Sequence, residues 1–197
     1  EASDWINDYL DTEGYRLVWM DTPLNTIRHS PAKYSQHKAL GGKLPYASFA
    51  DAFNYLIVGQ ESLTDLNYRL AKKRASTLPM NRFRPNIVTV GGRAFEEDTY
   101  GHIKIGTYDF LGVKHCTRCI VTTTSQVTAE QAGIKGEPLK TLRTFRRDPN
   151  QSDKIVFGEN LSSLLPTYND PDKLHNFCGV IRVGDRVDVI SRKHRGF

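Results

Sequence analysis

From residue 80 onward the sequence is a succession of short β-branched or alternating runs broken by glycines, and this pattern constrains the fold more than any other feature. Residues 86–90, 102–105, 108–113 and 120–124 each have the length and residue types of a strand. Near the C-terminus, residues 180–183, the dipeptide Gly184-Asp185 and residues 186–190 read as strand, turn and strand. Strands this short do not bury an apolar face singly. They must lie side by side and be covered by other elements. The expected class is α+β and β-rich, with a barrel-like β core decorated by short helices.

The helices have their own signatures. Residues 3–10 form an amphipathic stretch with Ser3 as the expected cap and Trp5, Ile6, Tyr9 and Leu10 on one face. Residues 15–20 read as a strand. Over residues 21–49 the periodicity is lost among prolines, glycines and the cations Lys33, Lys38 and Lys43; a loop of that length is usually functional or mobile. A buried strand follows at 54–58. Next comes a helix over 63–73, capped by Ser62, with Leu63, Leu66 and Leu70 inward and Lys72, Lys73 and Arg74 at the negative end of its dipole. Pro138 opens a second short helix, with Leu139, Leu142 and Phe145 inward and Lys140, Arg143, Arg146 and Arg147 largely outward.

A chain of 197 residues is long enough for one domain with a real core, or a domain plus a small lobe. No apolar run has the length of a membrane helix, and no targeting segment is visible. The chain starts at Glu1 rather than Met, as expected of a piece of a longer protein. A net charge of +5 suits an anionic partner, whether nucleic acid, phosphate-bearing cofactor or acidic protein. The cysteines Cys116, Cys119 and Cys178 are too few for a disulfide framework and odd in number, which suits a reducing compartment.

Four segments could carry chemistry. Cys116-Thr117-Arg118-Cys119 offers a redox pair, half a zinc site or a single functional thiolate. The strand expected at 120–124 speaks against a redox pair, which sits at the start of a helix. Zinc needs four ligands, and no second pair has ligand spacing. Two structural cysteines remain the plain alternative, but Arg118 beside a thiol favours the thiolate. In Asn81-Arg82-Phe83-Arg84-Pro85-Asn86, two arginines and two amides offer donors for a phosphate or a planar heterocycle. Pro85 is expected to hold Arg84 extended. The alternative is a solvated basic loop paired with Glu96, Glu97 or Asp98. Phe157-Gly158-Glu159-Asn160 is either an ordinary turn or a close backbone approach to a ligand. Asp51, before the strand at 54–58, either positions a substrate or ends that strand. His115 is read as structural, because strand neighbours point to opposite faces. There is no Walker loop and no GxGxxG. Nothing resembles a nucleic-acid-binding module, so nucleic acid is not the expected partner.

The ordered set of Asn81–Val90 (NRFRPNIVTV), AFEEDTY from Ala94, CTRCIVTTT from Cys116, GEPLKTL from Gly136 and GVIRVGD from Gly179 resembles MOSC domains. It is most similar to the amidoxime-reducing components and their bacterial YcbX-type relatives, and covers the chain from about Asn54 onward. The resemblance implies a MOSC domain over 54–197, with 1–53 (helix, strand and long loop) as the remnant of an N-terminal region. It implies a MOSC-type β barrel, a molybdenum cofactor (Mo-molybdopterin), and Cys119 as the metal-ligating thiolate. Arg84, Asn86, Thr117, Arg118 and Asn160 match cofactor contacts, and Asp51 matches an acidic position near the site. The implied activity is reduction of N-hydroxylated compounds such as amidoximes or hydroxylaminopurines. The alternative is a cofactor or sulfur carrier without its own turnover. The N-terminal P-V-K-S motif of full-length relatives is not found in this sequence, and no cysteine cluster for an iron–sulfur centre follows the domain. Electrons would therefore come from a ferredoxin-like domain, a flavin reductase or a cytochrome. The implied location is cytoplasmic for a bacterial protein and organellar for a eukaryotic one.

Overall fold

The structure is a computed structural model that describes residues 1–18, 28–29, 46–47, 50, 52–163 and 180–193. Its elements in chain order are α1 (Ala2–Leu10), β1 (Arg28–His29), β2 (Tyr46–Ala47), β3 (Tyr55–Gly59), α2 (Gln60–Lys72), β4 (Ile87–Thr89), β5 (Tyr100–Ile105), β6 (Tyr108–Thr117), α3 (Leu139–Leu142), β7 (Val156–Ser163) and β8 (Val187–Arg192). Three 3-10 turns, Met80–Arg82, Glu96–Thr99 and Ile120–Thr123, link them. Strands β1 and β2 form a small antiparallel pair. The other six form one mixed sheet in the order β4-β3-β7-β6-β5-β8, curved into a half-barrel. The pair β3–β4 is parallel, because α2 carries the chain back across the sheet between them. The remaining pairings are antiparallel.

The sheet is apolar on both faces. Leu56 and Val58 of β3 pack with Phe157, Phe83, Leu63, Leu66 and Leu70 of α2 and Leu139 and Leu142 of α3. Ile57 points the other way and packs with Ile103, Ile105, Phe110 and Leu161. This is the period-two alternation of a strand buried on both faces. The inward leucines of α2 and α3 are those read from the 3.6-residue period. Gly112 of β6 lies where a Cβ would come within 1.8 Å of the Tyr100 carbonyl oxygen. Only glycine fits there, and β5 and β6 make a close backbone approach at that point.

Several local expectations are corrected. Helix α1 is capped by a box between Glu1 and Asp4 rather than by Ser3, whose hydroxyl instead accepts from Leu17 N at 3.2 Å. Residues 15–18 are irregular, not a strand. Helix α2 begins three residues before the expected start, with Gly59 at its N-cap. Ser62 is freed from capping: it donates to Glu97 at 2.8 Å and accepts from Phe95 N at 2.7 Å. Residues 120–123 form a 3-10 turn, not a strand. Their hydroxyls satisfy the turn's own carbonyls, Thr122 Oγ1 donating to Cys119 O at 2.9 Å and Thr123 Oγ1 to Ile120 O at 2.7 Å. Such local bonds outcompete the strand ladder that β-branched residues otherwise favour. Residues 180–186 hold a turn in which Arg182 N donates to Asp185 Oδ2 at 2.7 Å, so of that expected hairpin just β8 is regular.

Candidate cofactor-binding site

Strand β6 ends at Thr117, at one end of the sheet, and Arg118 follows it. Thr117 faces Val156 in the ladder with β7, and Arg118 N still donates across to Ile155 O at 2.7 Å. Cys119 follows in extended geometry (φ −114°, ψ −178°) at the start of the 3-10 turn, with its side chain exposed. A backbone extended from Cys116 to Cys119 separates their Cα atoms by roughly 10 Å, beyond the 7 Å or so that a disulfide spans. This geometry, rather than a following strand, disfavours a redox pair. Cys116 is half-buried against the apolar cluster beneath α2 and α3.

The Asn81–Asn86 segment is bound to this end of the sheet. Arg118 Nη2 donates to Phe83 O at 2.7 Å and Nη1 contacts Cys116 Sγ at 3.0 Å. Arg82 Nη1 donates to Thr122 O at 3.1 Å. The Phe83 ring is fully buried and stacks on Phe157, fixing the segment to the sheet. Arg84 is left-handed (φ 53°), not extended as Pro85 suggested. It follows the 3-10 turn Met80–Arg82 as the residue that reverses a helical turn, and the proline then stops the turn. Its side chain is exposed and pairs with none of Glu96, Glu97 or Asp98. Those acids are engaged elsewhere: Glu96 by Arg192, Glu97 by Ser62 and Asp98 by Arg146.

Asn86 extends the pairing of β3 and β4 by one rung. Its backbone N donates to Leu56 O at 2.9 Å, and its side-chain oxygen accepts from Leu56 N at 2.8 Å. The carboxamide NH2 then points away from that bond. Leu56 in turn faces Asn160 across the β3–β7 ladder. The segment around Gly158 is strand, not turn. Gly158 has φ +83°, and a Cβ there would lie 2.7 Å from Val58 Cγ2 and 2.9 Å from Ile57 O. The space it opens is filled by β3, not left for a ligand. The segment of Arg84 and Asn86 and the segment of Thr117, Arg118 and Cys119 are thus joined in one seam by the Arg118–Phe83 and Arg82–Thr122 bonds, and Asn160 faces Leu56, which Asn86 binds. Asp51 lies outside the described residues.

Beneath this seam runs a buried ionic network that was not read from the sequence. Arg146, expected outward, is buried and grips Asp98 with both terminal nitrogens at 2.6 and 2.8 Å. The Arg146 guanidinium also lies 4.4 Å from the centre of the Phe95 ring. Glu159 is fully buried; its carboxylate meets His115 Nδ1 at 2.8 Å and Lys193 Nζ. Burial pushes the Glu159 carboxyl above the ordinary glutamate range, against the pull of His115 and Lys193. Burial likewise pushes Glu97 up, against the Ser62 hydrogen bond. A glutamate at position 159 between apolar strand residues was the one available signal. Its partners come from distant segments.

Two observations bear on whether the seam fits a molybdenum cofactor. Arg118 Nε is buried with no hydrogen-bond partner among the described residues. The Cys119 thiol, next in the chain, and the Arg84 guanidinium, next to the Phe83 that Arg118 holds, are both exposed. A donor left without an acceptor in a buried site is costly unless something supplies one. An exposed cysteine sulfur together with guanidinium and amide donors on the joined segments is a donor set for a soft metal carried by a phosphate-bearing group. The residues fit such a cofactor.

The sequence profile of the MOSC domain matches residues 45–188. The chain is 35% identical over 192 residues to human mitochondrial amidoxime reducing component 2, covering 95% of this chain and 50% of that protein. It is 36% identical over 190 residues to the rat component 2, covering 95% and 51%. It is 32% identical over 193 residues to mouse mitochondrial amidoxime-reducing component 1, covering 98% and 51%. The chain thus spans about half the length of these curated relatives.

Proposed function

The chain belongs to the MOSC domain family, and on that premise we propose that it is the cofactor-binding part of a molybdenum-dependent oxidoreductase that reduces N-hydroxylated compounds such as amidoximes and hydroxylaminopurines. The names of its relatives support the activity. The observation that supports the site is the exposed Cys119 thiol, which follows in the chain an Arg118 whose buried Nε has no partner among the described residues.

In this reading Cys119 ligates the metal as thiolate. Arg84, Arg118 and the Asn86 NH2 hold the anionic and heterocyclic parts of the pterin. Thr117 offers a hydroxyl at the same end of the sheet, and Asn160 contributes from β7. Asp51 orients the substrate, a role that rests on the resemblance. When bound, the cofactor supplies the two-electron redox chemistry at which the substrate's oxygen leaves. The reaction consumes two electrons and two protons per N–O bond cleaved and releases water. The electrons come from a separate carrier protein or domain. The relatives are named mitochondrial, so an organellar location follows if the source is eukaryotic and a cytoplasmic one if it is bacterial. No helix among the described residues is long and apolar enough to cross a membrane.

The test is reconstitution of the full-length protein with molybdenum cofactor, reduced methyl viologen and benzamidoxime. Turnover is expected for the parent, with loss of both molybdenum and turnover in Cys119→Ala. Turnover surviving in Cys119→Ala sinks the assignment. A persulfide on Cys119 by mass spectrometry, without turnover in the parent, would instead mark a sulfur carrier.

A further inference from the structure

We propose that the exposed cations of α2 and α3 form the docking surface for an acidic electron-carrier protein. This rests on the oxidoreductase reading above and adds to it the place and the charge of the donor. Lys72, Lys73 and Arg74 are exposed at the C-terminal end of α2. Lys73 Nζ donates to Thr141 Oγ1 at 3.3 Å, which brings that end against α3. Lys140 is exposed next to Thr141, and the half-buried Arg143 follows α3, its Nη2 donating to Ile134 O at 3.4 Å.

None of these five cations has a carboxylate partner among the described residues. Arg69, Lys154, Arg186 and Arg192 each have one within 3.1 Å, while Arg84, Lys135 and Arg147 are exposed without one among the described residues, so the patch is set apart by the gathering of its cations. The nearby acids are already engaged: Asp65 pairs with Arg69, and Glu137 accepts from Thr141 N at 2.9 Å. Five cations gathered around the Glu137 carboxylate leave an excess of positive charge that attracts an anionic surface. The patch also adjoins the site. Helix α3 packs against the Ile120–Thr123 turn, which begins at Cys119. A protein seated on α2 and α3 therefore lies beside the seam that would hold the cofactor.

An acidic protein is favoured over nucleic acid. Binding of single strands relies on aromatic platforms between the cations. The exposed aromatic on this face of α2 is Tyr68, and Lys72 Nζ already lies 4.4 Å from its ring centre.

The test compares two donors with the reconstituted full-length protein. One is reduced plant-type ferredoxin, an acidic iron–sulfur protein. The other is reduced methyl viologen, a small cation that needs no docking surface. In the triple variant Lys72→Glu, Lys140→Glu, Arg143→Glu, the KM for ferredoxin is expected to rise at least about tenfold, with viologen-driven turnover unchanged. In the parent, the ferredoxin KM should climb with salt. A ferredoxin KM unaltered in the variant, or a parent that turns over with viologen and not with ferredoxin, overturns the docking surface. Salt-sensitive binding of a DNA or RNA oligomer to the parent, abolished in the variant, overturns it in favour of nucleic acid. A parent that fails with viologen overturns the functional reading itself, and that failure is separate because it appears in the arm without docking.

Discussion

Arg118 Nη1 lies 3.0 Å from the sulfur of Cys116, not of Cys119, while its Nη2 holds the Phe83 carbonyl. The first cysteine of the motif thereby steers the arginine, and the second is left exposed. The two should separate cleanly on substitution. Cys119→Ala is expected to abolish molybdenum retention with little change in stability. Cys116→Ala should keep a substantial share of the metal and lower stability by about 1–2 kcal/mol, through lost packing and one lost hydrogen bond. Metal analysis beside urea unfolding of both variants reads the difference.

The carboxamide of Asn86 has a structural end and a free end. Its oxygen accepts from Leu56 N, and its NH2 is the group proposed to meet the cofactor. Asn86→Asp keeps the acceptor and removes the donor, so stability should hold within about 0.5 kcal/mol while cofactor affinity falls. Asn86→Ala loses both and leaves Leu56 N without its partner, at a cost of about 1–3 kcal/mol. Equal affinity for the pterin in the parent and in Asn86→Asp would remove Asn86 from the site.

Asp98 and Arg146 are both buried and joined by two short hydrogen bonds. Removing either partner strands the other charge, and Arg146→Met or Asp98→Leu should each cost about 3–5 kcal/mol. The pair of Arg146→Met with Asp98→Leu should cost far less than the sum of its parts, because no unpaired charge remains. Chemical denaturation of the single and double variants measures this coupling.

Glu97 gives a pH signature. Its carboxyl ionises near 4.5 in the unfolded chain and is pushed above that by burial in the fold. The folded state keeps a proton that the unfolded chain has lost, so this group's contribution to stability falls as pH rises beyond 4.5. Glu97→Gln removes the titration. The variant should unfold at higher urea than the parent at about pH 8, with the gain gone at about pH 4. A gain that grew toward acid would contradict the assigned direction.

Much of the architecture was legible in local pattern, and the limits have physical causes. The inner faces of α2 and α3 followed from leucine spacing, and β3 to β6 from β-branched and alternating runs. Residues 120–124 misled because β-branched threonines also carry hydroxyls, and here those hydroxyls close a turn. The cation pattern after Pro138 made Arg146 look solvated. Its partner Asp98 lies 48 residues away, and Glu159 meets His115 across 44, separations that no local window connects. In the site, the residue types of the C-x-R-C and F-R-P-N segments were readable. The joining of the two segments was not, since it depends on a bond from Arg118 to the backbone of Phe83, 35 residues earlier.

The crossing of β5 and β6 leaves no room for a side chain at one position. At position 112 the Tyr100 carbonyl occupies the place of a side chain, so any sequence that keeps this crossing must keep a glycine there. The same strand carries on from that crossing to Thr117, two residues before Cys119. A larger residue at position 112 is thus expected to push β6 off β5 and to disturb the strand that leads to the thiol.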